Sequence, residues 1–217
     1  MPEPAEQAAK PRTWRPMVHW TAGILLALGL AWFVAAVVVP YFRVRAFMTG
    51  GAPSREDISR LGGPEKTARW IVWYLRLPKV IAPRSGYDLW GWGELRQHVA
   101  PCLIQLMREE DGDRLVAAYL LGGVLAVSAH KPDWDQTEPD VEPRVFDEGV
   151  LALASALRDS DEDVRYTAAR ALGWIGPRAA PAIPALEPLA EDGGGDKIMR
   201  LAVLDALGKI RAEDPPE

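Results

Sequence analysis

The sequence predicts an all-α protein with one transmembrane helix near the N-terminus, followed by an α-solenoid of about three to four helical hairpins. Two observations predict this fold. A long uncharged run lies between Arg15 and Arg43, and beyond it the spacing i, i+3, i+4, i+7 recurs in pairs along the chain. With 48% hydrophobic and 25% charged residues, the chain has enough apolar side chains to bury a core.

The N-terminal segment is predicted to divide into a tail over 1–19 and a membrane-spanning helix over 20–42. The 27 residues between Arg15 and Arg43 carry no formal charge, and about 20 helical residues cross the hydrocarbon core of a bilayer. Pro40 is expected to mark the end of this helix.

Two alternatives to the membrane helix stay open. The triplet Val34-Ala35-Ala36 is an acceptable cleavage site for a signal peptide, and a buried core helix is also apolar. The side of the membrane is not predicted, because three basic residues precede the run and four follow it up to Arg60.

The strongest pattern in the chain is an internal repeat of paired helical stripes. The second-helix stripes are Ala117, Leu120, Leu121, Val124; Ala168, Ala171, Leu172, Ile175; and Val203, Ala206, Leu207, Ile210. The first-helix stripes are Ala100, Leu103, Ile104, Met107; Val150, Leu153, Ala154, Leu157; and Ala182, Ala185, Leu186, Leu189. One hairpin cannot bury both of its stripes, whereas stacked hairpins do so, which is the logic of a solenoid.

A glycine follows the third member of every second-helix stripe, at Gly122, Gly173 and Gly208. An interior glycine costs a helix about 0.5 to 1 kcal/mol relative to alanine. Its recurrence therefore predicts close packing of helix backbones at these positions.

The predicted domain limits follow from these patterns. A juxtamembrane connector occupies 43–63, the solenoid occupies 64–211 with an exposed insertion loop over 128–147, and a tail occupies 212–217. A capped short helix from Ser54 and a helix opened by Pro64 are expected at the start of this region. The segment 79–93 has no assigned fold, and Pro188 is expected to bend or shorten the last hairpin.

Residues 157–176 carry a resemblance to a known family. The acidic turn Leu157–Asp163, followed by Val164-Arg165, Ala168-Ala169, Ala171-Leu172-Gly173 and Ile175-Gly176, resembles a HEAT repeat in the short form shared with phycobilisome-lyase-type repeats. The likeness extends more loosely from Ala100 to Arg211. It implies a helical scaffold for protein interaction and, as a weaker alternative, a bilin-lyase-like enzyme.

The charge and cysteine content exclude several classes of function. The net charge of −5 and the 14 acidic against 8 basic residues from Asp147 onward disfavour nucleic-acid partners, which require basic surfaces. The single cysteine, Cys102, excludes an internal disulfide and a multi-thiolate zinc site.

No motif predicts catalysis, a cofactor or a metal. His98 and Cys102 are four residues apart but flank Pro101. The acidic residues of 133–138 lack the glycine and glutamate that a calcium loop needs, and 193–197 lacks the spacing of a phosphate-binding loop. No enzyme and no small-molecule substrate are expected.

The candidate binding residues are Trp70, Trp73, Trp90, Trp92 and Arg165. Tryptophan is enriched at binding hot spots and at membrane interfaces, although the four tryptophans are also expected as a core that caps the solenoid. Arg165 is expected either to pair with acidic turn residues, as part of a structural ladder, or to contribute to a ligand surface.

Together these patterns predict a single-pass, membrane-anchored scaffold that binds an unidentified protein partner through its repeats. The alternative from the same patterns is an accessory structural subunit of a membrane complex.

Overall fold

The structure, a computed structural model, describes residues 25–48, 54–76, 93, 95–109, 113–130, 141–191 and 197–212 of the 217-residue chain. By their internal contacts the residues divide into two units, Met1–Pro40 and Tyr41–Glu217. Every regular element within the described ranges is helical, which confirms the predicted all-α class.

The apolar N-terminal helix spans Leu25–Ala46, with a mean hydropathy of 2.3 in its most apolar window. Its segment Val34–Val38 is π-helical, and α1 continues the chain over Val39–Met48. The predicted end at Pro40 is therefore wrong. Because proline has no N–H for the carbonyl four residues earlier, the wider turn just before it accommodates the ring without ending the helix.

After α1, the second unit continues with two helices that the sequence predicts. Helix α2 (Arg55–Arg60) starts at a capping box in which the Ser54 hydroxyl accepts a hydrogen bond from the Asp57 N–H at 3.1 Å and the Asp57 carboxylate accepts one from the Ser54 N–H at 3.2 Å. Helix α3 (Pro64–Leu75) starts at Pro64, as expected from its missing N–H.

The remaining helices form the hairpins. They are α4 (Leu95–Arg108), α5 (Arg114–Ala129), α6 (Pro143–Ala156), α7 (Glu162–Ile175), a 3-10 helix (Gly176–Ala182) leading into α8 (Ile183–Glu191), and α9 (Lys197–Arg211).

The hairpins stack side by side in sequence order. Helix α7 lies between α5 and α9 in one layer, and α6 lies between α4 and α8 in the other, while α3 packs on α4. This is the arrangement that the stripes predict. All four members of each second-helix stripe are buried, whereas Met107, Ala154, Ala185 and Leu189 of the first-helix stripes are half-buried.

The recurring glycines allow the second helices to approach closely. A Cβ atom at Gly122 would lie 2.3 Å from the Cβ of Ala171, and one at Gly173 would lie 3.1 Å from the Cα of Ala206. The predicted backbone packing is thus present between α5 and α7 and between α7 and α9.

One predicted boundary differs from the structure, one predicted irregularity is present, and one segment is not described. The insertion expected over 128–147 is shorter, since α5 extends to Ala129 and α6 begins at Pro143, with Phe146 buried in the core. The last hairpin is irregular around its prolines, because its first helix begins as a 3-10 turn and α8 has only nine residues. The unassigned segment 79–93 lies outside the described residues except for Gly93.

Candidate functional site

The most distinctive exposed cluster lies on the layer formed by α5 and α7. Tyr166, Arg170 and Trp174 are four residues apart, so they form one stripe along α7. Tyr119 reaches the same place from α5, because α5 packs beside α7. We call these four residues the Arg170 patch.

The geometry of the Arg170 patch is that of a cation held by aromatic rings. The Arg170 guanidinium carbon lies 5.2 Å from the Trp174 ring centroid and 5.7 Å from that of Tyr166. The Tyr119 and Trp174 rings meet edge to face, with centroids 5.5 Å apart at 90°. Arg170 is exposed, Tyr119 is 39% exposed, and the other two rings are half-buried.

Sequence reasoning missed this patch. The spacing of Tyr166, Arg170 and Trp174 on one helical stripe was the available signal. The fourth member was not visible in the sequence, because the contact between Tyr119 and Trp174 depends on how two repeats pack together.

The predicted tryptophan cluster is only partly within the described residues. Trp70 and Trp73 meet edge to face on α3, with ring centroids 5.2 Å apart, and both are half-buried against the core. Trp90 and Trp92 lie outside the described residues. The two visible rings therefore contribute to packing at the start of the stack, and a binding role for them stays a prediction.

Arg114, Arg165 and Arg200 hold equivalent places in the three repeats, and of these three only Arg114 pairs with an acidic side chain among the described residues, as the ladder predicts. Arg114 pairs with Asp159 in the turn of the next hairpin, its Nε lying 2.8 Å from Oδ2 and its Nη2 donating to Oδ1 at 3.1 Å. Arg165 instead donates from Nη1 to the backbone carbonyls of Asp159 and Ser160, at 2.8 and 3.0 Å. Arg165 thus stabilises the turn of its own hairpin by donating hydrogen bonds to its carbonyl oxygens. The turn preceding Arg200 lies outside the described residues.

A surface cavity of about 440 Å³ lies beside this ion pair, and its charged lining includes Arg108, Arg114, Glu148 and Asp159. Burial raises the pKa of Asp159, but hydrogen bonds from the Asp161 N–H and from Arg114 outweigh it and hold the pKa below its ordinary value. A carboxylate that stays ionised and paired is poorly suited to exchange protons near neutral pH.

The possible nucleophile Cys102 is half-buried on α4. Burial raises the pKa of its thiol, against the opposing effect of Arg69 and Arg76. The nearby His98 ring has the Gln97 amide as a hydrogen-bond partner at 3.2 Å. A raised pKa reduces the thiolate fraction on which cysteine nucleophiles depend.

The described residues contain no group of three or more metal-ligating side chains. The acidic segment 133–138 and the glycine-rich segment 193–196 lie outside them.

Comparison with known proteins gives one match. Residues 147–217 match the family model of HEAT repeats. The match begins within α6, extends through α9, and includes the segment whose residues resemble that family. No curated protein and no solved structure matches the chain. The hairpin α4–α5 lies outside the matched residues but packs on its successor through the same glycine–alanine contact.

Proposed function

Since the chain carries HEAT repeats over residues 147–217, we propose that it is a membrane-confined scaffold that binds a protein partner on its repeat surface. The observation that carries the proposal is the layer of α5, α7 and α9, a continuous stack with an exposed cluster of Tyr, Trp and Arg side chains. Such residues dominate the energetics of protein interfaces.

The membrane part of the proposal is supported by the apolar N-terminal helix. Only 6% of its most apolar window is buried, and Leu25 and Leu26 are 69% and 77% exposed. A helix of this length and composition spans a bilayer, whose hydrocarbon core is about 30 Å thick. A signal sequence or a core helix passes the same test of length and hydropathy.

The test is affinity capture with the full chain solubilised in mild detergent after cross-linking in its native membrane. We expect a partner that is retained when the helix over 20–42 is replaced by an unrelated membrane-spanning segment. The partner should be lost when residues 49–217 are deleted and the helix is kept. Retention by the helix alone would contradict the scaffold function.

A second candidate, an accessory structural subunit, is favoured by the outer face of α9. Ile198, Leu201 and Leu204 are 62%, 57% and 46% exposed there, and a Cβ atom at Gly208 would meet nothing within 4 Å. At the positions of α7 that correspond to Leu204 and Gly208, Ala169 is buried and Gly173 lies against Ala206 of α9, and an exposed apolar patch often marks an interaction surface. Purification at a fixed stoichiometry with other membrane subunits would support this candidate over transient binding.

A further inference from the structure

We propose that the Arg170 patch binds an acidic segment of a partner protein, with an Asp or Glu carboxylate of the partner on the Arg170 guanidinium. The inference rests on the proposed scaffold function and assigns its contact surface and the chemistry of its partner.

The Arg170 guanidinium is available for a ligand. It is exposed, and within the part of the chain that the structure describes no carboxylate pairs with it. Lys209 on the neighbouring helix α9 is already paired, since its Nζ lies 2.7 Å from Asp205 Oδ2. Of these two cations, Arg170 is the one without a carboxylate partner among the described residues.

The aromatic rings prepare this charge for recognition. Tyr166 and Trp174 flank the guanidinium at 5.7 and 5.2 Å. A guanidinium beside aromatic rings keeps its N–H donors in a fixed fork that matches a carboxylate. A side chain that already packs on neighbouring rings loses less conformational entropy when a ligand binds.

The Arg170 patch contains one cation, which favours a protein carboxylate over a polyphosphate. Nucleic-acid binding requires several lysines or arginines along one surface, whereas the other three residues of the patch are aromatic. The exposed part of the Tyr119 ring offers an apolar contact beside the charge. The surface therefore fits an acidic residue with an apolar or aromatic neighbour in the same segment.

The first experiment is selection of a displayed library of random 12-residue peptides on the full chain in detergent. We expect the wild type to enrich Asp and Glu beside an aromatic or aliphatic residue, and Arg170→Glu to enrich Lys and Arg instead. Arg144→Gln is the matched control, because the Arg144 side chain is 83% exposed on another helix and its loss should leave the selected peptides unchanged.

The second experiment measures the affinity of the best selected peptide by fluorescence polarisation. Arg170→Gln should raise the Kd about tenfold, the scale of a charge-assisted hydrogen bond. Replacing the peptide's Glu by Gln should do the same with the wild-type chain. When both changes are combined, the Kd should rise little further, since the two groups form one interaction. Arg170 is exposed and its contacts with Tyr166 and Trp174 are weak at such a site, so the variants should unfold close to the wild-type temperature.

Three results would overturn this assignment. They are enrichment of no peptide by the wild type, enriched peptides without acidic residues, and peptide binding that survives Arg170→Gln. A chain that binds an oligodeoxynucleotide or phosphatidylglycerol vesicles through Arg170, but no acidic peptide, would replace the proposed partner by a phosphate ligand. If the repeats capture a partner and Arg170→Gln does not change that capture, the scaffold function stands. The Arg170 patch is then not its contact surface.

Discussion

Three glycines at the same place in successive second helices meet very different surroundings. The space for a Cβ atom is closed at Gly122, tight at Gly173 and open at Gly208. The difference follows from position in the stack, because α5 and α7 each have a following helix against them and no described helix covers α9 at Gly208. The same residue type therefore has a different energetic role in each repeat.

We expect Gly122→Ala to destabilise the chain and Gly208→Ala to stabilise it. At Gly122 the added methyl group would lie 2.3 Å from Ala171, and such overpacking typically costs about 1–3 kcal/mol. At Gly208 the methyl group meets open space, so alanine's better helix propensity should add about 0.5–1 kcal/mol. Urea unfolding of these two variants and of Gly173→Ala gives the free energy of unfolding of each, and so ranks the three substitutions.

Gly173→Ala should fall between them, since its methyl group would meet Ala206 Cα at 3.1 Å. Equal effects of all three substitutions would show that intrinsic helix propensity, and not helix–helix packing, decides the outcome.

Asp159 gives the stack a pH-dependent contact between hairpins. Its side chain is 11% exposed and pairs with Arg114 of the preceding hairpin, and its pKa is lowered in the folded state. A carboxyl whose folded pKa lies below its unfolded value contributes stability above the unfolded pKa, and that contribution is lost as the pH falls through the folded pKa.

We therefore expect Asp159→Asn to lower the free energy of unfolding at pH 7 by about 1–3 kcal/mol, because the Arg114 charge loses its partner. The difference from wild type should begin to shrink as the pH falls below about 4, the ordinary pKa of an aspartate in the unfolded chain, and should continue to shrink as the pH falls through the lowered folded pKa. Unfolding curves from pH 3 to 7 measure this. A difference that is constant across that range would contradict the ionic origin of the effect.

Among the elements, α8 is the weakest helix that the repeat pattern predicts. It has nine residues, follows a 3-10 turn and contains Pro188 in its interior. Proline removes one helical hydrogen bond and crowds the carbonyl four residues earlier. The helix is nevertheless retained, since Leu186 is fully buried and holds its face against the core.

Restoring the N–H with Pro188→Ala should slow amide hydrogen exchange in Ile183–Glu191 relative to wild type. The substitution removes an interior cost of up to about 3 kcal/mol, partly offset because proline also restricts the unfolded chain. Exchange in α6 serves as the internal reference, because α6 contains no interior proline. Unchanged or faster exchange in α8 would mean that the bend around Pro188 is required for packing.

The sequence was sufficient to predict the helices and their buried stripes, because these depend on local spacing. The capping box at Ser54, the start of α3 at Pro64 and the stripe Ala168, Ala171, Leu172, Ile175 are examples, and all are present. Each depends on residues within one or two helical turns of each other.

Features that depend on contacts between repeats were not predictable in the same way. Tyr119 and Trp174 are 55 positions apart in the sequence, and their contact requires the register of α5 on α7. Likewise, the continuation of the N-terminal helix through Pro40 depends on a π-helical turn that no residue pattern announces. For this reason the sequence did not predict the Arg170 patch, although it did predict the fold class.

At the scale of the whole molecule, the exposed apolar side chains fall into two classes that a membrane would treat differently. Leu28 and Leu30 are 62% and 63% exposed on the apolar N-terminal helix, while Leu151 and Leu201 are each 57% exposed among charged residues of the repeats. The two pairs of leucines are exposed to nearly the same extent, so they differ mainly in the residues that surround them. If the first helix spans a bilayer, the two pairs must respond differently to a charge.

We expect the pair Leu28→Lys and Leu30→Lys to release the chain from membranes during alkaline extraction. Each lysine near the middle of a membrane helix costs about 2.5–3.5 kcal/mol on insertion scales, so the pair costs about 5–7 kcal/mol. Leu151→Lys with Leu201→Lys adds the same charge at equally exposed leucines and should leave the chain in the membrane pellet. Sedimentation and immunoblotting of both variants measure the outcome. Equal extraction of the two variants would show that the helix is not the anchor. If mass spectrometry shows that the wild-type chain has already lost its N-terminal segment, the helix is a cleaved signal sequence instead.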